Sequence, residues 1–145
     1  MDHYTPQSFT RTQSVGFMLS KARNLIVAEI DAALKELGIT SQQMGILLSM
    51  KDGAATTPFE LSKLLSIDTG LMTRMLDKLE AKGLLKRSRS VEDRRVVNLT
   101  LTKKGEEVEA RVPQIAVRVL NARLRKFTKA EFEELRRLLG KFIGD

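Results

Sequence analysis

A chain of 145 residues, 42% hydrophobic and 30% charged, suits one compact domain or two small lobes, and none of its apolar runs approaches the roughly 20 residues that cross a bilayer. It has no cysteine and one histidine, His3, near an end expected to fray, which excludes disulfides, thiolate metal sites and thiol-based sensing and disfavours histidine-rich metal centres and catalytic triads. The net charge of +7 is uneven: residues 1–57 hold 5 basic and 5 acidic side chains, 58–104 hold 11 and 6, and 105–145 hold 9 and 7, so the middle third carries the field that attracts polyanions such as a phosphate backbone.

From Ser14 to Leu37 apolar residues at 15, 18, 19, 22, 26, 30, 33, 34 and 37 follow one helical face, with Gly38 as the stop. Phe17, Leu25 and Val27 lie off that stripe, so this helix should meet protein on more than one side. Thr40 and Gln43 form a capping box for a second helix, which runs through Met44, Leu47 and Leu48 to an end at Asp52-Gly53. Thr57-Pro58-Phe59-Glu60 is the clearest start signal: a capping hydroxyl, a proline whose missing N–H costs nothing, and a glutamate at the reciprocal position. A short helix through Leu61, Leu64 and Leu65 follows. A fourth begins near Asp68, buries Met72, Met75, Leu76 and Leu79, and closes at Lys82-Gly83, which makes the pair a helix-turn-helix.

Beyond Gly83 the pattern turns extended. Leu85 to Arg89 and Arg95 to Leu101 read as two strands, joined by the polar tip Ser90 to Arg94. Thr102 caps a long helix with two apolar stripes, at 108, 112, 115, 119 and 122 and at 117, 120, 124 and 127, and Pro113 is expected to kink or divide it. Thr128 and Glu131 form a capping box for a last helix carrying Phe132, Leu135, Leu138, Leu139, Phe142 and Ile143. The expected fold is mainly α with a small β-hairpin wing. Residues 1–38 supply the N-terminal helix of a dimerisation lobe, 39–104 form a winged helix-turn-helix, and 105–145 form C-terminal dimerisation helices. The broad apolar faces of the terminal helices need a partner surface, and a two-fold dimer is the commonest way to provide one.

Candidate chemistry concentrates in the middle. The apolar set of the fourth helix leaves Thr69, Gly70, Thr73, Arg74, Asp77 and Lys78 facing outward. Hydroxyls and methyls one turn apart, and an arginine able to fork onto guanine or phosphate, suit a major groove, while Gly70 permits close backbone approach. The plainer alternative is a solvated face with Asp77 bonded to a nearby arginine. Lys86, Arg87, Arg89, Arg94 and Arg95 put five cations in ten residues, opposed only by Glu92 and Asp93. One arginine at the tip, oriented by Asp93, suits the narrow minor groove, and the others suit phosphates. The methionines read first as core, and Glu106, Glu107 and Glu109 as a dipole match and a solvated face. No phosphate-cradling glycine loop, metal-ligand cluster or nucleophile with a base is present, so neither an enzyme nor a cofactor or metal is expected.

The runs Leu71-Met72-Thr73-Arg74-Met75-Leu76-Asp77-Lys78-Leu79, Lys82-Gly83-Leu84, Glu92-Asp93-Arg94-Arg95 and Leu101-Thr102-Lys103-Lys104-Gly105 resemble the MarR family of bacterial transcription regulators. The D-x-R wing followed by the L-T-x-x-G helix start is the most specific element, and the flanking helices agree in length and order. The N-terminus, with Asp2, His3 and Gln7, does not read as a secretory signal, so a cytoplasmic protein is expected; the resemblance implies a homodimer on a pseudo-palindromic DNA operator, usually a repressor, with the recognition helix in the major groove and the wing in the minor groove. Arg95 falls on the D-x-R arginine. The resemblance also implies a small aromatic or anionic effector held between the dimer lobe and the winged helix. The absence of cysteine departs from the thiol-oxidation branch of the family. The alternative expectation is an architectural protein that coats DNA without sequence preference, or, further off, an interaction module for an acidic partner.

Overall fold

The computed structural model describes residues 1–145 and orders them as α1 (Val15–Leu34), α2 (Ser41–Lys51), α3 (Pro58–Leu65), α4 (Thr69–Ala81), β1 (Leu85–Arg89), β2 (Val97–Leu101), α5 (Lys103–Leu124) and α6 (Lys129–Ile143). Short 3-10 turns at Arg11–Gln13 and Lys35–Leu37 bracket α1. The punctuation follows local chemistry. Ser14, Thr40, Thr57, Asp68, Thr102 and Thr128 each accept a backbone N–H from three residues on, which satisfies a donor that the first helical turn leaves orphaned. Both halves of the capping box form at Thr40/Gln43 and at Thr128/Glu131. At Thr57 only one half forms: the Glu60 carboxylate accepts the Thr57 hydroxyl at 3.0 Å instead of the backbone amide, because that hydroxyl oxygen already accepts the Glu60 N–H at 3.2 Å and its proton is free to turn to the carboxylate.

One core, built from Ile30 and Leu34 of α1, Ile46 and Leu47 of α2, Leu61, Met72, Leu76, Leu79, Leu84, Leu85, Leu99 and then Val112 and Ile115 of α5, runs through the middle of the molecule. The strands pair antiparallel, Leu85 opposite Leu101 and Arg89 opposite Val97. Thr56, in the α2–α3 connection, accepts the Leu99 N–H at 2.8 Å and so ties the base of the hairpin to the helices. Gly105 explains the seating of α5: a β-carbon there would lie 1.8 Å from the Leu84 carbonyl oxygen. Only glycine lets the helix start press onto the Gly83–Leu84 turn, where Thr102 donates its hydroxyl to Gly83 O at 2.5 Å and its amide to Leu84 O at 3.1 Å.

Four expectations need correction. Arg95 and Val96 do not belong to the second strand, which starts at Val97; Asp93 takes the Arg95 N–H on its side chain and the Val96 N–H on its carbonyl, and this tight turn extends the tip to residue 96. Pro113 does not divide α5, which runs unbroken from Lys103 to Leu124 with the proline exposed; one lost hydrogen bond is offset by burial of Val112 and Ile115 on the inward face. Glu109 is buried, not solvated, because it shares the inward face of α5 with Gly105 and Val112. The N-terminal segment is folded back: the Tyr4 hydroxyl accepts the Val15 N–H at 2.9 Å and its ring meets Phe9 edge to face.

The two stripes of α5 have different fates. Val112 and Ile115 are buried and Val108 and Val119 partly so, whereas Val117, Leu120 and Phe127 are exposed. α6 buries none of its residues, and Phe142 remains 64% exposed.

Candidate nucleic-acid interface

The exposed face of α4 is what its burial pattern leaves over. Met72, Met75, Leu76 and Leu79 turn inward, and Thr69, Gly70, Thr73, Arg74, Asp77 and Lys78 all remain exposed. The Asp68 carboxylate accepts the Leu71 N–H at 2.9 Å and fixes where this helix begins. Thr73 donates its hydroxyl to the Thr69 carbonyl at 2.9 Å, so its methyl is the group presented outward without competition. A β-carbon at Gly70 would lie 3.3 Å from Asp68 Oδ1 and 3.8 Å from Arg74 Nη1. The guanidinium of Arg74 thus extends over the glycine at the first turn.

The hairpin sorts its arginines into three groups. Arg95, 91% exposed, is held at the tip by Asp93, whose Oδ1 accepts the Arg95 amide at 3.0 Å and Nε at 3.2 Å while Oδ2 accepts Nη2 at 3.4 Å. These bonds, the backbone one foremost, hold the Asp93 carboxyl below the usual aspartate range. Arg89 donates to the Arg94 carbonyl at 3.0 Å and braces the turn, leaving Arg94 exposed beside it. Arg87 turns the other way: it pairs with Asp77 and, at 3.4 Å, with Glu80, both on α4, and its side chain is only 27% exposed. The bond it donates to Asp77 is the leading reason that its guanidinium holds its proton more tightly than usual.

Of the residues singled out from the sequence, Thr69, Gly70, Thr73, Arg74, Asp77 and Lys78 share the outer face of α4, and Asp93, Arg94 and Arg95 share the wing tip. Arg89 is a brace and Arg87 a link between the two. Because Asp77 lies on the exposed α4 face and Arg87 on β1, their ion pair sets the hairpin beside that face. Glu80, which also accepts the Arg87 amide at 3.1 Å, went unread in the sequence; its place one turn from Asp77 was the available signal. Lys82 was read only as part of a helix stop: its ammonium donates to Gly38 O at 2.5 Å and to Gln43 Oε1 at 3.1 Å, joining the end of α4 to the α1–α2 junction.

A helix-turn-helix closed by a two-stranded basic wing defines the winged-helix class of DNA-binding proteins. The MarR family model matches residues 39–97, from the start of the α2 region to the first residue of β2. The multiple antibiotic resistance protein MarR of Escherichia coli is 38% identical over 111 residues, covering 76% of this chain and 77% of that protein. The chain belongs to the MarR family, whose members are transcription regulators and not enzymes. An HTH-type transcriptional repressor of Mycobacterium tuberculosis is 30% identical over 132 residues, 90% of this chain and 94% of its own length. Among solved structures, a cysteine-to-serine mutant of E. coli MarR complexed with operator DNA superposes with a TM-score of 0.80 at 31% identity, covering 88% of this chain and 92% of that one. No helix of the chain is long and apolar enough to cross a membrane.

Proposed function

We propose that this DNA-binding regulator is a dimeric repressor of a pseudo-palindromic operator, released by a small aromatic or anionic ligand. Residues 39–104 act as the reading head, and residues 1–38 with 105–145 as the dimerisation lobe. The observation that carries the reading is the exposed α4 face joined by the Asp77–Arg87 pair to a hairpin whose tip presents the exposed Arg95, held by Asp93. α4 enters the major groove, with Arg74 on a base edge and Thr69, Thr73 and Lys78 beside it. Arg95 enters the minor groove, where the potential is most negative, and Arg94 meets phosphate. That the E. coli relative has been solved in complex with operator DNA supports DNA as the partner.

The exposed apolar stripes of α5 and α6 support the dimer. The cleft between α1 and the helix-turn-helix, about 230 Å³ and lined by Arg23, Ser41, Gln42, Leu65, Ser66 and Ile67 among others, offers one cation and two apolar side chains to an aromatic acid. Such a ligand releases DNA only to the extent that it binds the released conformation more tightly.

The test is a competition titration on genomic fragments that the full chain retains. Arg95→Ala weakens operator binding tenfold or more, about 1.4 kcal/mol, and an unchanged affinity at matched salt overturns the wing assignment. Arg74→Ala costs about 1–3 kcal/mol and relaxes preference at one base pair, whereas a uniform loss on every duplex makes it a phosphate contact. A preference below about 10³-fold over random DNA marks an architectural protein.

A further inference from the structure

We infer that Arg87 is a positioning residue, which sets the angle of α4 against the wing through Asp77 and Glu80 and does not itself neutralise DNA phosphate; the inference rests on the DNA-binding reading above. By composition Arg87 is one more cation of a basic hairpin, but its environment separates it from the rest. Arg95 points into solvent with one carboxylate beside it, while Arg87 is largely covered and engages two carboxylates on a second element. Its amide and its Nε both donate to Glu80 Oε2, at 3.1 and 3.4 Å, and its Nη2 donates to Asp77 Oδ1. A planar fork that spans carboxylates three residues apart on a helix restrains rotation of that helix as well as its distance, which a lysine's single ammonium does not reproduce.

Two features favour alignment over affinity. The pair is partly exposed, a setting in which ion pairs add little to stability. Asp77 sits within the face that meets DNA, where a carboxylate repels phosphate; its presence costs affinity unless it holds something that improves selectivity. A phosphate-binding arginine paired with such a carboxylate would bind better without it, so the two roles predict opposite signs for removal of Asp77.

The experiment uses full-length wild type, Arg87→Ala, Arg87→Lys, Asp77→Asn and the Arg87→Ala/Asp77→Asn double variant. The probes are a genomic duplex selected by the wild type and a scrambled duplex of equal length, titrated by fluorescence anisotropy between about 0.05 and 0.3 M salt. A positioning role gives about a tenfold loss of selected-over-scrambled preference for Arg87→Ala and for Asp77→Asn, no further loss in the double variant, a partial loss for Arg87→Lys, and an unchanged salt slope. A slope shallower by about one for Arg87→Ala, full activity for Arg87→Lys and tighter binding for Asp77→Asn identify a phosphate contact and overturn the inference. Unchanged preference in all variants overturns it as well. A wild type that retains no duplex at low salt overturns the DNA-binding reading itself, an outcome separate from either.

Discussion

The winged-helix segment and the terminal helices are about equally rich in apolar residues but use them differently. Thirteen of the 20 buried residues lie within residues 39–104, whereas most of the exposed large hydrophobic side chains lie outside it, on α1, α5, α6 and the N-terminal segment. The core of the middle is completed by Ile30 and Leu34 of α1 and Val112 and Ile115 of α5, and the ends close only the sides that touch the middle. α1 buries Ile30 and Leu34 yet leaves Val15, Met18 and Leu25 in water, and α6 buries nothing. A helix with an apolar stripe that wide is stable in water only against another surface. The contrast therefore separates a segment whose apolar side chains are mostly covered within one chain from helices whose apolar faces stay exposed in it.

The largest expected effect tests where α5 seats on the closed segment. Gly105→Ala drives a β-carbon into the Leu84 carbonyl, a backbone atom that cannot swing aside, and should cost about 3 kcal/mol or more, read as loss of the cooperative melt. Leu76→Ala, at a side chain with no exposure, should cost about 2–5 kcal/mol in urea titration at every protein concentration. Leu139→Ala, on the open face of α6, should instead weaken self-association by about 1–2 kcal/mol, followed by sedimentation across a dilution series; unchanged association would remove α6 from the proposed interface.

Gly70→Ala sharpens the contrast between two glycines. The added carbon meets only side-chain atoms, at 3.3 and 3.8 Å, so stability should change by less than about 1 kcal/mol while selected-duplex affinity falls. The smallest effect is acid release of the wing tip. Because Asp93 is held below its ordinary range by Arg95, its contribution is present above the unfolded value and is lost as pH falls through the lower folded value. The Arg95 amide resonance should therefore stay put between about pH 7 and pH 5 and move only under stronger acid.

Much of the fold was legible because it is encoded by neighbours in sequence. Caps, glycine stops and the 3.6-residue period place six helices from Ser14, Thr40, Thr57, Asp68, Thr102 and Thr128, since each signal acts within four residues. The outer face of α4 was legible for the same reason: it is the complement of an apolar stripe. The wing was legible in kind but not in length, because a side-chain-to-backbone turn at Asp93 outweighed the β-propensity of Arg95-Val96.

What the chain alone determined was its elements, its surplus of positive charge and its candidate reading face, all consequences of local hydrogen bonding and periodicity. Tertiary structure decided which arginines are tied to α4: Arg87 and Arg95 are both basic hairpin residues, and the approach of Asp77 and Glu80 across the α4–β1 packing makes one a link, while the other is held only by its neighbour Asp93. It also decided which stripe of α5 is spent on the core and which remains open. Both outcomes depend on contacts between distant segments, whose geometry no local pattern carries.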